Sequence, residues 1–250
     1  MIFRKIAFCL CLFLLPAITR AQLFYDFQSG WYLGANAGIA SYFGDLSFYD
    51  LDPVNKIRHE SRFVAGLTAG KSLNQWIDLE MNFDHGGMKG SNQNNDLSFT
   101  GNFTELTLNG IISLSRIISN QSYQRFQVCL SLGAGSIFYR STKSRISDNT
   151  YVYSVGRNSS GDKKGSPGIT AVFPAGILLS FDLNKSLVIR SRFAFRMPDD
   201  DLLDAHAGST GINDRYSFAI IGFIYRLPPV RPDKSGPLPC PEFAGLIRSK

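Results

Sequence analysis

The chain is poor in the features that mark a soluble enzyme. Helix-favouring runs of Ala, Glu and Lys are missing, and only 18% of its 250 residues are charged,. It contains four cysteines, and two of these, Cys9 and Cys11, fall in the leading segment. Cys129 and Cys240 remain, too few for a disulfide framework. No phosphate-binding glycine loop, metal-finger spacing or dinucleotide fingerprint occurs, so no cofactor and no metal is expected. Beyond residue 21 no apolar run approaches the roughly 20 residues that a membrane-spanning helix requires. If the chain enters a membrane, it does so as a closed barrel, because only a helix or a closed sheet satisfies every backbone group in lipid.

What is present begins with a secretory signal. Arg4 and Lys5 precede the apolar run from Ile6 to Leu15, Pro16 breaks it, and Thr19-Arg20-Ala21 ends it with a small residue before Gln22,. The organisation expected is a signal peptide over 1–21, a periplasmic lead-in over 22–29, a barrel over 30–227 and a Pro-rich periplasmic tail over 228–250. Six of the eleven prolines (Pro228, Pro229, Pro232, Pro237, Pro239 and Pro241) fall in that tail,. No lipobox cysteine stands at the cleavage point. The net charge of +6 is scattered rather than patched, and together with export this excludes nucleic acid as a partner.

Eight segments alternate with period two. The third is the clearest, with Ile77, Leu79, Met81 and Phe83 set against Asp78, Glu80, Asn82 and Asp84. The first places Trp31, Leu33, Ala35, Ala37 and Ile39 opposite Tyr32, Gly34, Asn36, Gly38 and Ala40. The seventh sets Leu187, Ile189, Phe193 and Phe195 against Val188, Arg190, Arg192, Ala194 and Arg196. The sixth, from Thr170 to Phe181, contains Pro174, which requires a bulge or an unpaired donor. The eighth, from Tyr216 to Arg226, is too apolar for its faces to be assigned. Links after even-numbered strands are the shorter ones. Those after odd-numbered strands are long: Gly44 to Ser61, Gly86 to Thr100, Arg140 to Pro167 and Pro198 to Asn213. That asymmetry predicts an all-β, eight-stranded antiparallel transmembrane barrel in the cell outer membrane, with long loops extracellular and both termini periplasmic. Aromatics near strand ends (Trp31, Tyr42, Phe43, Trp76, Phe138, Tyr139, Tyr216 and Tyr225) are read as interfacial girdles.

The narrow interior of such a barrel is filled by side chains. Its inward set carries Arg62, Asp78, Glu80, Asp84, Glu105, Arg190, Arg192 and Arg196, and charges held out of water must pair. They read as a salt-bridged plug rather than a pore. Cys129 reads as a small lumen residue. Cys240 reads as an unpaired thiol in the tail, with a mixed disulfide to a partner as the alternative. His59, His85 and His206 map to the outer loops, near Asp45, Asp84 and the run Asp199, Asp200, Asp201 and Asp204. Solvated loop residues are the simpler reading, against zinc or calcium ligation or acid–base chemistry on lipid.

Several short segments resemble OmpA-like β-barrel proteins, including the PorG-type barrels of type IX secretion systems. They are Tyr42-Phe43-Gly44-Asp45-Leu46, Asp96-Leu97-Ser98-Phe99, Leu202-Leu203-Asp204-Ala205 and Asp214-Arg215-Tyr216-Ser217-Phe218. The similarity runs from about Gly30 to Leu227 and implies the barrel fold. It further implies a non-enzymatic structural, adhesive or assembly role, in one version as an accessory of a secretion machine. Outer-membrane lipid and lipopolysaccharide are the expected surroundings, and a periplasmic or secretion-machine protein is the expected partner of the tail. No peptidoglycan-binding domain is expected, hence no cell-wall anchoring through one. A lipid A-modifying enzyme and a small channel are the alternatives. The signal sequence makes one direct prediction: the exported protein begins at Gln22, and intact-mass measurement of a membrane form that retains residues 1–21 would remove that reading.

Overall fold

A computed structural model describes residues 30–44, 46–49, 52–119, 125–157, 165–199, 203, 205 and 214–228. The signal peptide, the lead-in and nearly all of the tail lie outside them, as do Asp45, His206, Asp200, Asp201, Asp204 and Cys240. The elements are β1 (Trp31–Phe43), α1 (Pro53–Glu60), β2 (Ser61–Ser72), β3 (Ile77–Asn92), β4 (Leu97–Ser113), α2 (Leu114–Ser119), β5 (Phe126–Arg145), β6 (Tyr151–Val155), β7 (Gly168–Asp182), β8 (Leu187–Pro198) and β9 (Arg215–Arg226). All strand pairs are antiparallel. β1 bonds β9 and β4 bonds β5, so eight strands close on themselves, with β6 added beside the far end of β5.

The closure has a definite stagger. Paired residues lead round the ring from Trp31 through Lys71, Leu79, Gly110, Leu132, Ala175, Phe195 and Ser217 to Ser41, ten residues beyond the start. Eight strands with that shear tilt about 40° from the barrel axis, which leaves a lumen just wide enough for side chains. Outward positions carry exposed apolar residues, among them Leu33, Leu67, Met81, Leu108, Leu132, Ile177, Phe193 and Phe223. Once the stagger is allowed for, this band runs from the level of Trp31 to that of Ile39 and stands roughly 20–25 Å tall, the height of an outer-membrane apolar belt.

At one end the β2–β3 and β7–β8 connections are tight, whereas the β4–β5 link carries α2. Asn74 Oδ1 accepts from Trp76 N and Ile77 N at 2.8 Å each, and Asn184 Oδ1 does the same for Ser186 N and Leu187 N at 2.8 Å each. An Asn side chain standing in for a backbone acceptor is what fixes such turns. At the other end Asp52 caps α1 by accepting from Val54 N and Asn55 N at 3.1 Å each,. Hydrogen bonds from the Asn55 backbone and then its side chain hold the Asp52 carboxyl below the usual carboxylate range.

Several expectations change here. The link from Gly86 to Thr100 is mostly strand: pairing of β2 with β3 stops at Val64–Gly86, whereas β3 and β4 stay paired to Asn92–Leu97. The link from Arg140 to Pro167 holds the rest of β5 and a ninth strand, β6, paired with β5. Together these form a sheet projecting past the barrel rim by roughly 15 Å. Asp96, in a left-handed conformation at φ 53, joins its two hairpins by accepting from Ser147 N at 2.9 Å and Ser147 Oγ at 2.5 Å. The link from Gly44 to Ser61 contains α1. Pro174 causes no bulge: the β5–β7 bridges skip Phe173 and Pro174 without a change of register, and β8 still pairs with both.

The aromatic girdles need a sharper correction. Trp31, Trp76, Phe138 and Tyr225 are exposed on the wall, but Tyr42, Tyr139 and Tyr216 are buried inside. They join Leu46, Met88, Phe99, Phe103, Ile137, Leu203 and Phe218 in an apolar cluster across the loop-side mouth. In β9 the inward face proves to be Tyr216, Phe218, Ile220, Gly222 and Ile224. The belt predicts a depth-dependent cost. Leu67→Arg, at mid-height, should destabilise the barrel in vesicles by about 2–4 kcal/mol, and Phe181→Arg, at the edge, by about 0–1 kcal/mol. Equal midpoints for the two variants in a denaturant titration would contradict the assignment.

Candidate functional site

Inward positions of β3, β4 and β8 build a charged layer across the lumen. Arg190 Nη1 lies 2.5 Å from Glu80 Oε2, and Arg192 Nη1 lies 4.0 Å from Glu80 Oε1. Arg192 Nη2 donates to both oxygens of Asp84 at 3.2 and 3.1 Å. Arg196 sits 3.3 Å from Glu105 through Nε and 3.9 Å from Asp84 through Nη2. Its guanidinium also lies 3.8 Å from the centre of the Phe218 ring. Three carboxylates thus face three guanidinium groups, and the layer is neutral. Glu80, Asp84, Glu105 and Arg196 are at most 2% exposed.

Ring order explains why these groups meet. β3 and β8 stand four strands apart in a ring of eight, as do β4 and β9. The pairs of Arg190 and Arg192 with Glu80 and Asp84 therefore span the barrel's diameter, while Arg196 of β8 meets Glu105 of β4 three strands round the ring. The remaining acceptor capacity is filled by neighbours. Tyr216 Oη donates to Glu105 at 2.6 Å and Tyr32 Oη to Glu80 at 3.1 Å. Asn82 Nδ2 donates to Glu80 Oε1 at 3.1 Å, and Thr68 Oγ1 donates to Asn82 Oδ1 at 2.7 Å. A chain of this kind keeps buried carboxylates satisfied.

Apolar groups close the layer on both sides. The mouth cluster lies toward the loops, and Tyr42 within it donates to Asp214. Toward the turns lie Tyr32, Val188 and Ile224 and, beside them, Ile111, Cys129 and Leu178. A cavity of about 20 Å³ remains, lined in part by Asn36, Thr68, Glu80, Arg190 and Arg192. It has room for a water beside Asn36 Oδ1, a buried acceptor without a partner. At the turn-side rim Arg226 grips Asp182 with two bonds of 2.9 Å.

Six of the eight expected lumen charges come together: Glu80, Asp84, Glu105, Arg190, Arg192 and Arg196. Arg62 and Asp78 make no ion pair among the described residues. Arg62 sits at the rim where β2 leaves β3, exposed and resting on Gly87. Asp78 lies at the turn end, only half-buried, where water already stabilises its charge. The contribution of Tyr32, Tyr216 and Phe218 was missed, although Tyr32 shares its strand face with the inward Asn36. Of the histidines, only His59 and His85 are among the described residues, and they do not come together. His59 stacks on Tyr49 with ring centres 5.5 Å apart, whereas His85 is on the outer wall with Nδ1 2.9 Å from Thr104 Oγ1. Among the described residues no three His, Cys, Asp or Glu side chains converge as metal ligands would.

Residues 27–198 match the family model described as OmpA-like transmembrane domain. No curated protein matches the chain. Of solved structures, neisserial surface protein A is similar at 15% identity, covering 80% of this chain and 98% of that one, with a TM-score of 0.43. Ail, the attachment invasion locus protein of Yersinia pestis, solved with the heparin analogue sucrose octasulfate, is similar at 12% identity over 80% and 100% of the two chains, TM-score 0.46. A major outer membrane protein of Thermus thermophilus is similar at 11% identity over 79% and 99%, TM-score 0.44.

The charged layer yields a stability prediction. Arg196→Ala leaves Glu105 buried without its guanidinium and should destabilise the barrel by about 3–5 kcal/mol. Replacing both partners, as in Arg196→Met with Glu105→Gln, should recover most of that loss. Unfolding in vesicles checks it, and a double variant no more stable than the single one would show that charge pairing is not what Arg196 supplies.

Proposed function

The chain belongs to the OmpA-like transmembrane family of outer-membrane β-barrels, and from that premise we propose that it is a closed, non-catalytic barrel that works through its loop end. The observation that carries this reading is the layer of ion pairs that β8 makes across the lumen with β3 and β4, sealed by apolar clusters on either side. An ion or substrate path would have to break at least two buried pairs, and leaving such a charge uncompensated costs several kcal/mol. The orientation that follows puts the loops outside the cell and both termini in the periplasm. The projecting sheet of β3 to β6 then offers an ordered surface to the medium.

The four segments that resemble PorG-type barrels supply a second support, because they converge. Tyr42 and Leu46 from the first, Phe99 from the second, Leu203 from the third and Tyr216 and Phe218 from the fourth all belong to the mouth cluster. Tyr42 stacks edge-on against Phe99 at 4.6 Å, and Ser141 donates to the Leu203 carbonyl. The segments that carry the resemblance are thus the ones that build the cap of this chain. This favours an assembly role at the outer membrane, as an accessory of a type IX secretion machine, with the tail as the contact to a periplasmic partner.

Two measurements test the proposal. In planar bilayers the purified barrel should pass no resolvable current; discrete conductance steps in the wild type would refute closure. Extraction of native membranes in mild detergent should recover a stoichiometric protein partner that is lost on deleting residues 229–250. Recovery as a lone monomer would remove the accessory role.

A further inference from the structure

Helix α1 is built inside out. Lys56 and Glu60, one turn apart, are 3% and 0% exposed and form an ion pair of 3.1 Å against the barrel rim. Lys56 Nζ donates to Ser47 Oγ at 2.5 Å and lies 4.1 Å from the Phe43 ring centre. Glu60 accepts from Ser47 Oγ and Phe48 N, each at 2.9 Å. The opposite face presents Val54, 73% exposed, and Ile57, 54% exposed, with Arg58 beside them. A loop helix in water turns its apolar stripe inward and its charges outward. This one does the reverse.

Three observations identify what covers the apolar face. The first is continuity with the lipid-facing belt: Glu60 runs straight into β2, whose outward Phe63 is 66% exposed and pairs with Ile39 at the upper edge of the belt. The second is charge. The last turn of α1 carries Arg58, and a cation beside an apolar helix face suits the phosphate level of a bilayer. The third is size. Two aliphatic side chains are far less than the roughly 800 Å² per partner that a stable protein contact buries.

We propose that α1 is an interfacial helix, its Val54–Ile57 face seated in the lipid leaflet on the loop side of the membrane and Arg58 at the headgroup phosphates. The first loop then lies along the membrane, and the projecting sheet of β3 to β6 is left as the part that meets the medium. This inference rests on the membrane setting of the barrel and not on lumen closure or on any partner, so its failure would leave the proposed function standing.

The test places a nitroxide at Val54→Cys or Ile57→Cys in the Cys240→Ser chain, where the buried Cys129 is shielded from labelling. The barrel is reconstituted in vesicles of phosphatidylcholine and phosphatidylglycerol. Collisions with dissolved oxygen should outweigh those with a water-soluble nickel chelate several-fold, as at Leu67→Cys in the belt. A label at Ile146→Cys, on the β5–β6 turn, should favour the chelate. Chelate-dominated collisions at both helix positions would overturn the proposal. A label reached by neither reagent would also overturn it, in favour of a protein contact. Ile57→Trp gives an independent readout that does not need the label. Its added emission should be quenched by lipids brominated near the headgroup and spared by iodide, and the opposite pattern would count against the helix lying in lipid.

Discussion

The narrowness of an eight-stranded lumen governs the rest of this molecule. With a stagger of ten residues the wall encloses a space that side chains must fill, and no inward charge held between its two rims can stay in bulk water,. β8 carries three inward arginines interleaved with the belt residues Ile189, Phe193 and Phe195. Each guanidinium is therefore held at the depth of the hydrocarbon, where only a partner on the facing wall can compensate it. β3, four places round the ring, and β4, three places round it, supply those partners.

The ion pairs also bear on register. Buried pairs are weak evidence for net stability, because well-packed apolar groups often replace them without loss. Their geometry is more selective than apolar packing. A slip of one residue between neighbouring strands turns every inward side chain toward lipid. A slip of two preserves the faces but shifts Arg190, Arg192 and Arg196 about 7 Å along β8 relative to their acids, beyond ion-pair reach. The observed stagger brings all six groups together. The mouth cluster then adds a second fixed point at the loop end, since Tyr216 and Phe218 enter it while Tyr216 also holds Glu105.

Much of this was legible in the alternation of β1, β3, β4, β5 and β8, where one face is apolar and the other polar or glycine. β9 was not, because Tyr216, Phe218, Ile220 and Ile224 are as apolar as the lipid-facing Ile221, Phe223 and Tyr225. Sequence contrast disappears when a strand packs apolar groups on both sides. Tyr42 and Tyr139 depart from the girdle because strand parity, not aromatic character near a strand end, sets which way they face. Tyr139 shares its face with Gln127, Cys129 and Ser131, which points it inward, and Tyr42 shares its face with Tyr32 and Asn36. Arg62 shows the opposite limit: its parity is inward, but at the rim there is no longer a lumen to face. Strand ends were hidden for a related reason. Past the belt neither face of β3, β4 or β5 meets lipid, so the pattern fades while the pairing continues.

The two ends of the barrel therefore solve different problems with the same chain. The turn end needs only to reverse direction, and one Asn side chain per turn suffices at Asn74 and Asn184. The loop end must seal a charged interior against water that would compete for every ion pair. It does so with aromatic and aliphatic residues drawn from β1, β3, β4, β5 and β9, and Leu203 and Leu46 are carried in from loops to complete the seal. Each buried plug residue ties its point of the chain to the mouth of the barrel. The same fixation positions α1, because Glu60 anchors Phe48 and Ser47 two residues from Leu46 or less. The placement of α1, with one buried ion pair beneath it and bare aliphatic side chains on its far face, follows from sealing the barrel.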